Sequence, residues 1–124
     1  MATITLTGDT FQDTVLGDGI VLVDLWADWC MPCRMFGPVF EAASEKHPDI
    51  VFGKVDTEAH AELAAAFGIS SIPTLMVFRD QIVLYSRPGA LPGPALDDLI
   101  GRVKALDMDE VRRTIAEHEG HDRP

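Results

Sequence analysis

The residues of this chain best suited to chemistry are two cysteines, Cys30 and Cys33, the only ones among its 124 residues. Met31 and Pro32 separate them, and Pro32 suits the first turn of a helix. The pattern therefore predicts that Cys30 lies at a helix start. There its sulfur would meet free backbone N–H groups and the positive end of the helix dipole, which stabilise thiolate over thiol. Cys30 is the expected attacking thiol.

Cys33 would follow one turn later, close enough to form a small disulfide ring with Cys30 yet shielded from solvent. This asymmetry is typical of thiol–disulfide exchange. An exposed Cys30 thiolate attacks a substrate disulfide, and Cys33 resolves the mixed disulfide. Two inert buried thiols are an alternative, although a junction between strand and helix is a poor place to hide both.

A zinc site is the other alternative, and it requires four ligands. The two cysteines could supply two of them, and His47 follows at a tolerable interval. His60 lies far outside the usual histidine spacing, and His118 and His121 belong to the tail. We therefore expect no metal.

Asp24 is an acid inside an apolar run that predicts a β-strand over residues 20–27. Alternate strand residues face opposite sides, and here both sides are apolar, as in a central strand covered on each face. Asp24 shares its side with Leu22 and Trp26, so it should point into the core, where burial raises a carboxyl pKa. The pattern also fits a purely structural Asp24 satisfied by backbone donors or a lysine.

Composition indicates one globular domain, with 47% hydrophobic and 24% charged residues. The formal charge of −10 argues against nucleic-acid binding, because phosphate contacts need clustered Lys and Arg. The first residues, MATITLTGDT, show no signal-peptide pattern, and no apolar run approaches the roughly 18 residues that span a bilayer. We therefore expect a cytoplasmic protein without membrane contact. In that compartment two close thiols favour redox or metal chemistry.

Strand and helix patterns alternate along the chain. The predicted strands cover residues 3–7, 20–27, 50–56, 75–78 and 82–86, and the predicted helices begin after Asp9, near Pro32, after Thr57 and near Pro92. Asp9 and Gln12 form a capping box, Thr57 caps a helix that runs to Phe67, and Pro38 should kink its helix. The order β-α-β-α-β-α-β-β-α indicates an α/β fold, a mixed central sheet of about five strands with helices on both faces.

Two further local features lie in the second half of the chain. Residues 79–81 join the last two strands in a hairpin turn that lacks the usual glycine. Later, Asp107 and Glu110 form a second capping box. An apolar helical face follows it, formed by Met108, Val111 and Ile115. We predict an extra C-terminal helix over residues 108–118, docked by those three side chains, and a frayed end over residues 118–124. The chain then divides into a domain at 1–106 and an extension at 107–124.

Four separated stretches resemble the thioredoxin family in order and spacing. They are VDLWADWCMPCRMFGP at residues 23–38, KVD at 54–56, FGISSIPTLMVF at 67–78 and PGAL at 88–91. The resemblance covers about residues 3–106. It implies the thioredoxin fold and a protein-disulfide reductase that cycles between dithiol and disulfide without a metal or organic cofactor.

The resemblance also implies roles for individual residues. Cys30 is similar to the family's nucleophile and Cys33 to its resolving cysteine. Asp24 matches a buried acid that accepts and returns the Cys33 proton. Lys54 matches the lysine beside that acid, and Pro73 matches a cis-proline facing the disulfide.

A substrate surface follows from the same resemblance. The backbone of Ile72 would pair with an extended substrate segment. The surface around Cys30 would be formed by Trp29, Met31, Pro32, Ile72, Pro73, Gly89 and Ala90, while Trp26 and Phe36 are assigned to the core.

The implied partners are an NADPH-dependent thioredoxin reductase as electron donor and oxidised client proteins, with the chain acting as a monomer. Two other functions stay open. One is a thioredoxin-fold oxidant or isomerase, and the other is a non-catalytic binding subunit whose extra helix supplies the interface. Asp24, Pro32 and the missing export signal favour the reductase.

Three features depart from the family pattern. Met31 stands where thioredoxins usually have glycine, and it brings an adaptable apolar side chain beside the nucleophile. Pro88 stands where a small β-branched or polar residue is usual. The C-terminal helix has no counterpart in the minimal fold. Met31 leaves the reduction potential and the choice of partner open.

Overall fold

A computed structural model of the chain describes residues 2–121, with side chains up to residue 118. The strands are β1 (Thr3–Thr5), β2 (Ile20–Trp26), β3 (Val51–Asp56), β4 (Thr74–Arg79) and β5 (Ile82–Pro88). The helices are α1 (Phe11–Val15), α2 (Met31–Lys46), α3 (Ala61–Ala66), α4 (Gly93–Ala105) and α5 (Met108–His121). Within residues 2–121, no helix combines the length and the apolar character needed to cross a membrane.

The five strands form one mixed sheet in the order β1-β3-β2-β4-β5. Strands β1, β3 and β2 are parallel, whereas β4 is antiparallel to β2 and β5 is antiparallel to β4. The predicted mixed sheet is therefore confirmed. Strand β2 lies in its centre and ends next to the cysteines.

Both sides of β2 are covered, as its two apolar faces predicted. On one side Leu22 packs with Phe36 and Phe40 of α2 and with side chains of α4. On the other side Val21, Val23 and Leu25 pack with α1, α3 and the facing side of the sheet. Burial on both faces fixes the register of β2, because a slip by one residue would exchange its faces.

Helix α2 begins where the cysteine pair predicted. Cys30 is its N-cap residue, with an extended backbone at φ −88° and ψ 112°, and Pro32 lies in the first turn. The helix continues past Pro38 to Lys46. Strand β2 and helix α2 together carry Asp24, Cys30 and Cys33.

The predicted starts of α1 and α3 are wrong. The N-cap residue of α1 is Thr10, not Asp9, and no side chain caps this helix. The Thr57 hydroxyl donates to the Trp26 carbonyl oxygen over 3.0 Å instead of capping α3, which begins only at Ala61. The Asp56 carboxylate accepts the amides of the next residues, and this turn delays the helix.

The β4–β5 hairpin turns through Asp80 and Gln81, as the sequence indicated, without glycine. Both residues have positive φ, 50° and 73°, as the tight two-residue hairpin turn requires. Asp80 exchanges backbone and side-chain hydrogen bonds with Gly19, at 3.0 and 3.2 Å, and the Gln81 amide donates to the Leu16 carbonyl oxygen. These contacts hold the turn in a conformation that side chains disfavour.

The additional helix α5 is present, and Asp107 caps it by accepting the amides of Asp109 and Glu110. The prediction of its docking face is wrong in part. Met108 is buried and Val111 is half-buried, but Ile115 remains 37% exposed. Only the start of α5 therefore packs on the domain. The helix also runs to His121, beyond the predicted fraying point, and residues 122–124 lie outside the described residues.

Two arginines stabilise the junction between α4 and α5. The Arg79 guanidinium of β4 donates to the carbonyl oxygens of Val103 and Leu106, at 2.6 and 3.1 Å. Arg112 of α5 forms an ion pair with Asp80 over 3.3 Å. Arg79 supplies positive charge and donors to the free carbonyls at the C-terminus of α4.

Candidate active site

Cys30 and Cys33 lie at the carboxyl end of β2, where the chain enters α2. Both are free thiols, and they pack with Ala27, Trp26 and Ile72. Cys33 is shielded as expected, at 5% exposed, but the expectation that Cys30 is exposed is wrong, because Cys30 is only 4% exposed. The Ile72 segment covers Cys30, and this contact comes from a distant part of the chain.

The two thiols differ in their hydrogen bonds instead. The Cys33 amide donates to the Cys30 sulfur over 3.3 Å, as expected at a helix start. The Cys30 thiol donates to the Ile72 carbonyl oxygen over 3.6 Å. Burial raises the pKa of the Cys33 thiol to about 12, and its hydrogen bond with Cys30 and the charge of Asp24 add to this rise. Cys33 is therefore held as a neutral thiol.

Asp24 is fully buried at the centre of the sheet, as the strand pattern predicted. Lys54 of β3 lies beside it in register on one side, and Leu75 of β4 lies on the other. Among the described residues, neither carboxylate oxygen has a hydrogen-bond partner. Burial raises the pKa of Asp24 from 3.8 to about 6, although the positive charge of Lys54 opposes the rise.

A cavity of about 370 Å³ opens next to Cys33 and reaches Lys54. Its walls are formed by Trp26, Ala27, Asp28, Cys33, Arg34, Gly37, Pro38, Glu41 and Lys54. Trp26 is half-buried: it packs against the cluster of Ala27, Cys30 and Cys33, but it also lines this cavity, so its assignment to the core is correct only in part. Strand alternation already placed Trp26 on the side of Asp24, and this was the signal that pointed to the site.

The peptide bond between Ile72 and Pro73 is cis, as the resemblance implied. The Pro73 carbonyl oxygen accepts the Gly89 amide over 2.8 Å, and Gly89 has a φ of 112° that favours glycine. These bonds bring the loop after β5 next to the loop before β4. Ile72, Pro73 and Gly89 therefore meet on the side of Cys30.

The predicted substrate surface is exposed at most of its positions. Trp29, Met31, Pro32, Gly89 and Ala90 are exposed, Ile72 is half-buried and Pro73 is buried. The Trp29 indole donates to the Glu58 carboxylate, which orients the ring. Met35 was missed: it is 68% exposed and lies one helical turn after Met31, so the two thioethers share one face of α2.

The structure does not bring His47 to the cysteines. Cys30 precedes α2 and His47 follows it, and the helix has 16 residues, which correspond to about 24 Å. Among the described residues, no three His, Cys, Asp or Glu side chains form a group that could hold a metal ion. These ligands therefore do not form the zinc site considered from the sequence.

Comparison with known proteins adds independent findings. The family model described as Thioredoxin matches residues 2–102. A Streptomyces coelicolor protein provisionally named thioredoxin 2 is 58% identical over 118 residues, covering 95% of this chain and 88% of that protein. Thioredoxin of Bacillus subtilis is 36% identical over 103 residues, covering 82% and 98% of the two chains. The solved structure of a mutant thioredoxin from Halobacterium salinarum superposes with a TM-score of 0.76 at 32% identity, covering 85% of this chain and 92% of that one.

These matches confirm the thioredoxin fold and extend over nearly all of the sheet and its covering helices. The two neighbouring thiols at a helix start and the family together support a thioredoxin-type redox function for this chain. The chain belongs to the thioredoxin family.

Proposed function

We propose that this protein is a protein-disulfide reductase whose reacting residues are Cys30, Cys33 and Asp24. The observation that carries the proposal is the contrast between the thiols. The Cys30 sulfur accepts the Cys33 amide, whereas burial keeps the Cys33 thiol protonated. Reduction of a client disulfide requires one thiolate that attacks first and a second thiol that stays protonated until the resolving step.

The reaction has two exchange steps. The Cys30 thiolate attacks one sulfur of a client disulfide, forms a mixed disulfide and releases the first client thiolate. Asp24 then accepts the proton of Cys33, and the Cys33 thiolate attacks the Cys30 sulfur and releases the second client thiolate. The client gains two electrons, and the protein is left with a Cys30–Cys33 disulfide. An ionised Asp24 with a pKa of about 6 can accept a proton at neutral pH.

The client is expected to bind over the exposed apolar surface beside Cys30. Trp29 and Met31 offer large exposed side chains, and the Ile72 backbone lies next to the nucleophile. An extended segment could pair with that backbone while its disulfide reaches the Cys30 sulfur.

The remaining expectations are part of the same proposal. The electron donor would be an NADPH-dependent thioredoxin reductase, and the clients would be oxidised proteins of the cytoplasm. The protein would act as a monomer, with its catalytic domain at residues 1–106 and its extension at 107–124. Lys54 would support Asp24, and Pro73 would shape the loop beside Cys30.

Insulin reduction in the presence of a thioredoxin reductase and NADPH tests the proposal. We expect the wild type to reduce insulin and Cys30→Ser to be inactive. Equal rates for the two proteins would overturn it. A reduction potential near the value usual for thioredoxins, about −270 mV, is expected, whereas about −120 to −180 mV would indicate an oxidant or isomerase. Full biological function of a double Cys30→Ser/Cys33→Ser variant would indicate a binding subunit.

A further inference from the structure

We propose that Trp26 is a positioning residue for the proton transfer, because its ring holds the Lys54 ammonium inside the cavity beside Asp24. The inference rests on the proposed reductase function and deepens it. Trp26 would touch none of the reacting atoms of the client. It would act through Lys54, and Lys54 would act through its charge on Asp24.

The geometry brings the three side chains to one side of the sheet. Asp24 and Trp26 are two residues apart on β2, so they face the same side. Lys54 is the register partner of Asp24 on the parallel strand β3 and shares that side as well. The Lys54 Nζ lies 5.5 Å from the centroid of the Trp26 ring, within cation–π distance.

Helix α2 also lies close to the ammonium. A Cβ atom added at Gly37 would lie 3.7 Å from the Lys54 Nζ, so the side chain passes close to the helix backbone there. The Lys54 ammonium thus lies near both the Trp26 ring and α2, in the cavity that also reaches Cys33.

The Lys54 ammonium is held by its contact with the Trp26 ring. Among the residues whose side chains are described, Lys54 forms no ion pair and donates no side-chain hydrogen bond. A lysine side chain is long and flexible, and an unheld ammonium would extend toward water. Trp26 is itself fixed by packing against the cluster of Ala27, Cys30 and Cys33. One ring therefore contacts both the thiol cluster and the cation.

The position of the ammonium matters because charge interactions weaken steeply with distance and in water. Inside the cavity, Lys54 favours the ionised form of Asp24, which must accept the Cys33 proton. The other groups that face this region are Cys33 on α2 and the cavity residues Asp28, Arg34 and Glu41, while β4 contributes only the apolar Leu75. If Lys54 left the cavity, Asp24 would hold its proton to higher pH and accept the Cys33 proton less readily.

Titration of the Asp24 carboxyl carbon by NMR tests this in the full-length protein. Lys54→Met should raise the proton affinity of Asp24, and Trp26→Leu should raise it about three- to tenfold with Lys54 still present. Trp26→Phe retains an aromatic face and should show a smaller rise. Trp29→Leu changes the other tryptophan, which does not line the cavity that contains Lys54, and should leave the Asp24 midpoint unchanged.

The double variant Trp26→Leu/Lys54→Met separates positioning from burial. If Trp26 acts through Lys54, the double variant titrates at the same pH as Lys54→Met. The inference would be overturned if Trp26→Leu raised the Asp24 midpoint by the same amount with and without Lys54→Met. It would also be overturned if Trp26→Leu alone did not raise the midpoint. If Trp26→Leu fails to fold, two other measurements test the inference. The Asp24 midpoint should still rise in Trp26→Phe, and the Lys54 Hε protons of the wild type should show an upfield ring-current shift; the absence of both would overturn the inference. If the wild type did not reduce insulin, the proposed reductase function would be wrong, but the titrations would still test whether Trp26 positions Lys54 beside Asp24.

Discussion

The backbone amide of Cys33 donates a hydrogen bond to the sulfur of Cys30 over 3.3 Å. The same residue keeps its own proton, because burial raises the pKa of the Cys33 thiol to about 12. These differences between the two thiols set the sequence in which they react. Cys30 attacks first, and Cys33 reacts only after a base has taken its proton.

We expect Cys33→Ser to accumulate mixed disulfides with clients. The serine keeps the backbone N–H that bonds to Cys30, so the nucleophile stays activated, but no thiol remains to release the client. Non-reducing electrophoresis of the variant after incubation with oxidised insulin should show covalent adducts that a reductant removes. Cys30→Ser is the matched control and should form few. The assignment of the two roles would be reversed if the adducts appeared with Cys30→Ser instead.

We expect Asp24→Asn to slow insulin reduction at pH 7 by about tenfold or more, since the general base is lost. The resolving step of the wild type should accelerate as the pH rises through about 6, where Asp24 ionises. The variant should lack this inflection. A pH profile of turnover from pH 5 to 8 measures both effects, and an unchanged profile would assign Asp24 a structural role only.

The same substitution should change how stability depends on pH. The pKa of Asp24 is about 6 in the folded protein and 3.8 in an ordinary environment, so between these values the folded state binds more protons than the unfolded state. The free energy of unfolding therefore falls as the pH rises through this window. From pH 4 to pH 7 the stability of Asp24→Asn relative to the wild type should improve by about 2 kcal/mol. Guanidinium unfolding at both pH values measures it, and a constant difference would contradict the shift.

Met31 should contribute to client binding and not to the thiol chemistry. Its side chain is 65% exposed next to Cys30, so a client can bury it. Met31→Ala should lower kcat/KM for insulin about three- to tenfold, mainly through KM, because part of a methionine's apolar burial is lost. Met31→Leu is the control and should stay near the wild type. A comparable loss with a small soluble disulfide would instead indicate an effect on the nucleophile.

Arg79 should stabilise the junction of α4 and α5. Arg79→Gln removes charged hydrogen bonds to the Val103 and Leu106 carbonyl oxygens, so it should cost about 1–3 kcal/mol of unfolding free energy. Denaturant unfolding measures the loss, and amide hydrogen exchange should show faster opening of α5. Arg113→Gln, at an exposed position of α5, is the control and should change stability little. Equal losses in both variants would contradict a specific role for Arg79.

The sequence predicted those parts of the molecule that depend on local pattern. The alternation around Asp24 indicated a central buried strand, and Pro32 after Cys30 indicated the helix start. Helix caps were predicted less well, because Asp9 and Thr57 compete with neighbouring donors and acceptors that sequence spacing cannot rank. The Asp56 carboxylate, for example, accepts the Glu58 and Ala59 amides where Thr57 was expected to cap a helix.

Contacts between distant segments could not be predicted in the same way. The burial of Cys30 depends on the Ile72 carbonyl, which is 42 residues away. The carbonyls that Arg79 binds lie beyond the next strand, at the C-terminal end of α4. The sequence placed Trp26 in the core only, because a large aromatic residue at a strand end is compatible with the core, and only the fold shows the cavity that it also lines.

The hairpin turn at Asp80 and Gln81 lies at the end of the sheet opposite to the cysteines. Ile20 pairs with Arg79 at the start of β2, and the cysteines follow the other end of this strand of seven residues, about 20 Å away. The contacts of Asp80 with Gly19 and Arg112 therefore gather α5 at the end remote from the thiols. A fluorophore or surface tether attached to the exposed side of α5 would leave the exposed surface of Trp29 and Met31 beside Cys30 free, so an immobilised protein could still bind large clients.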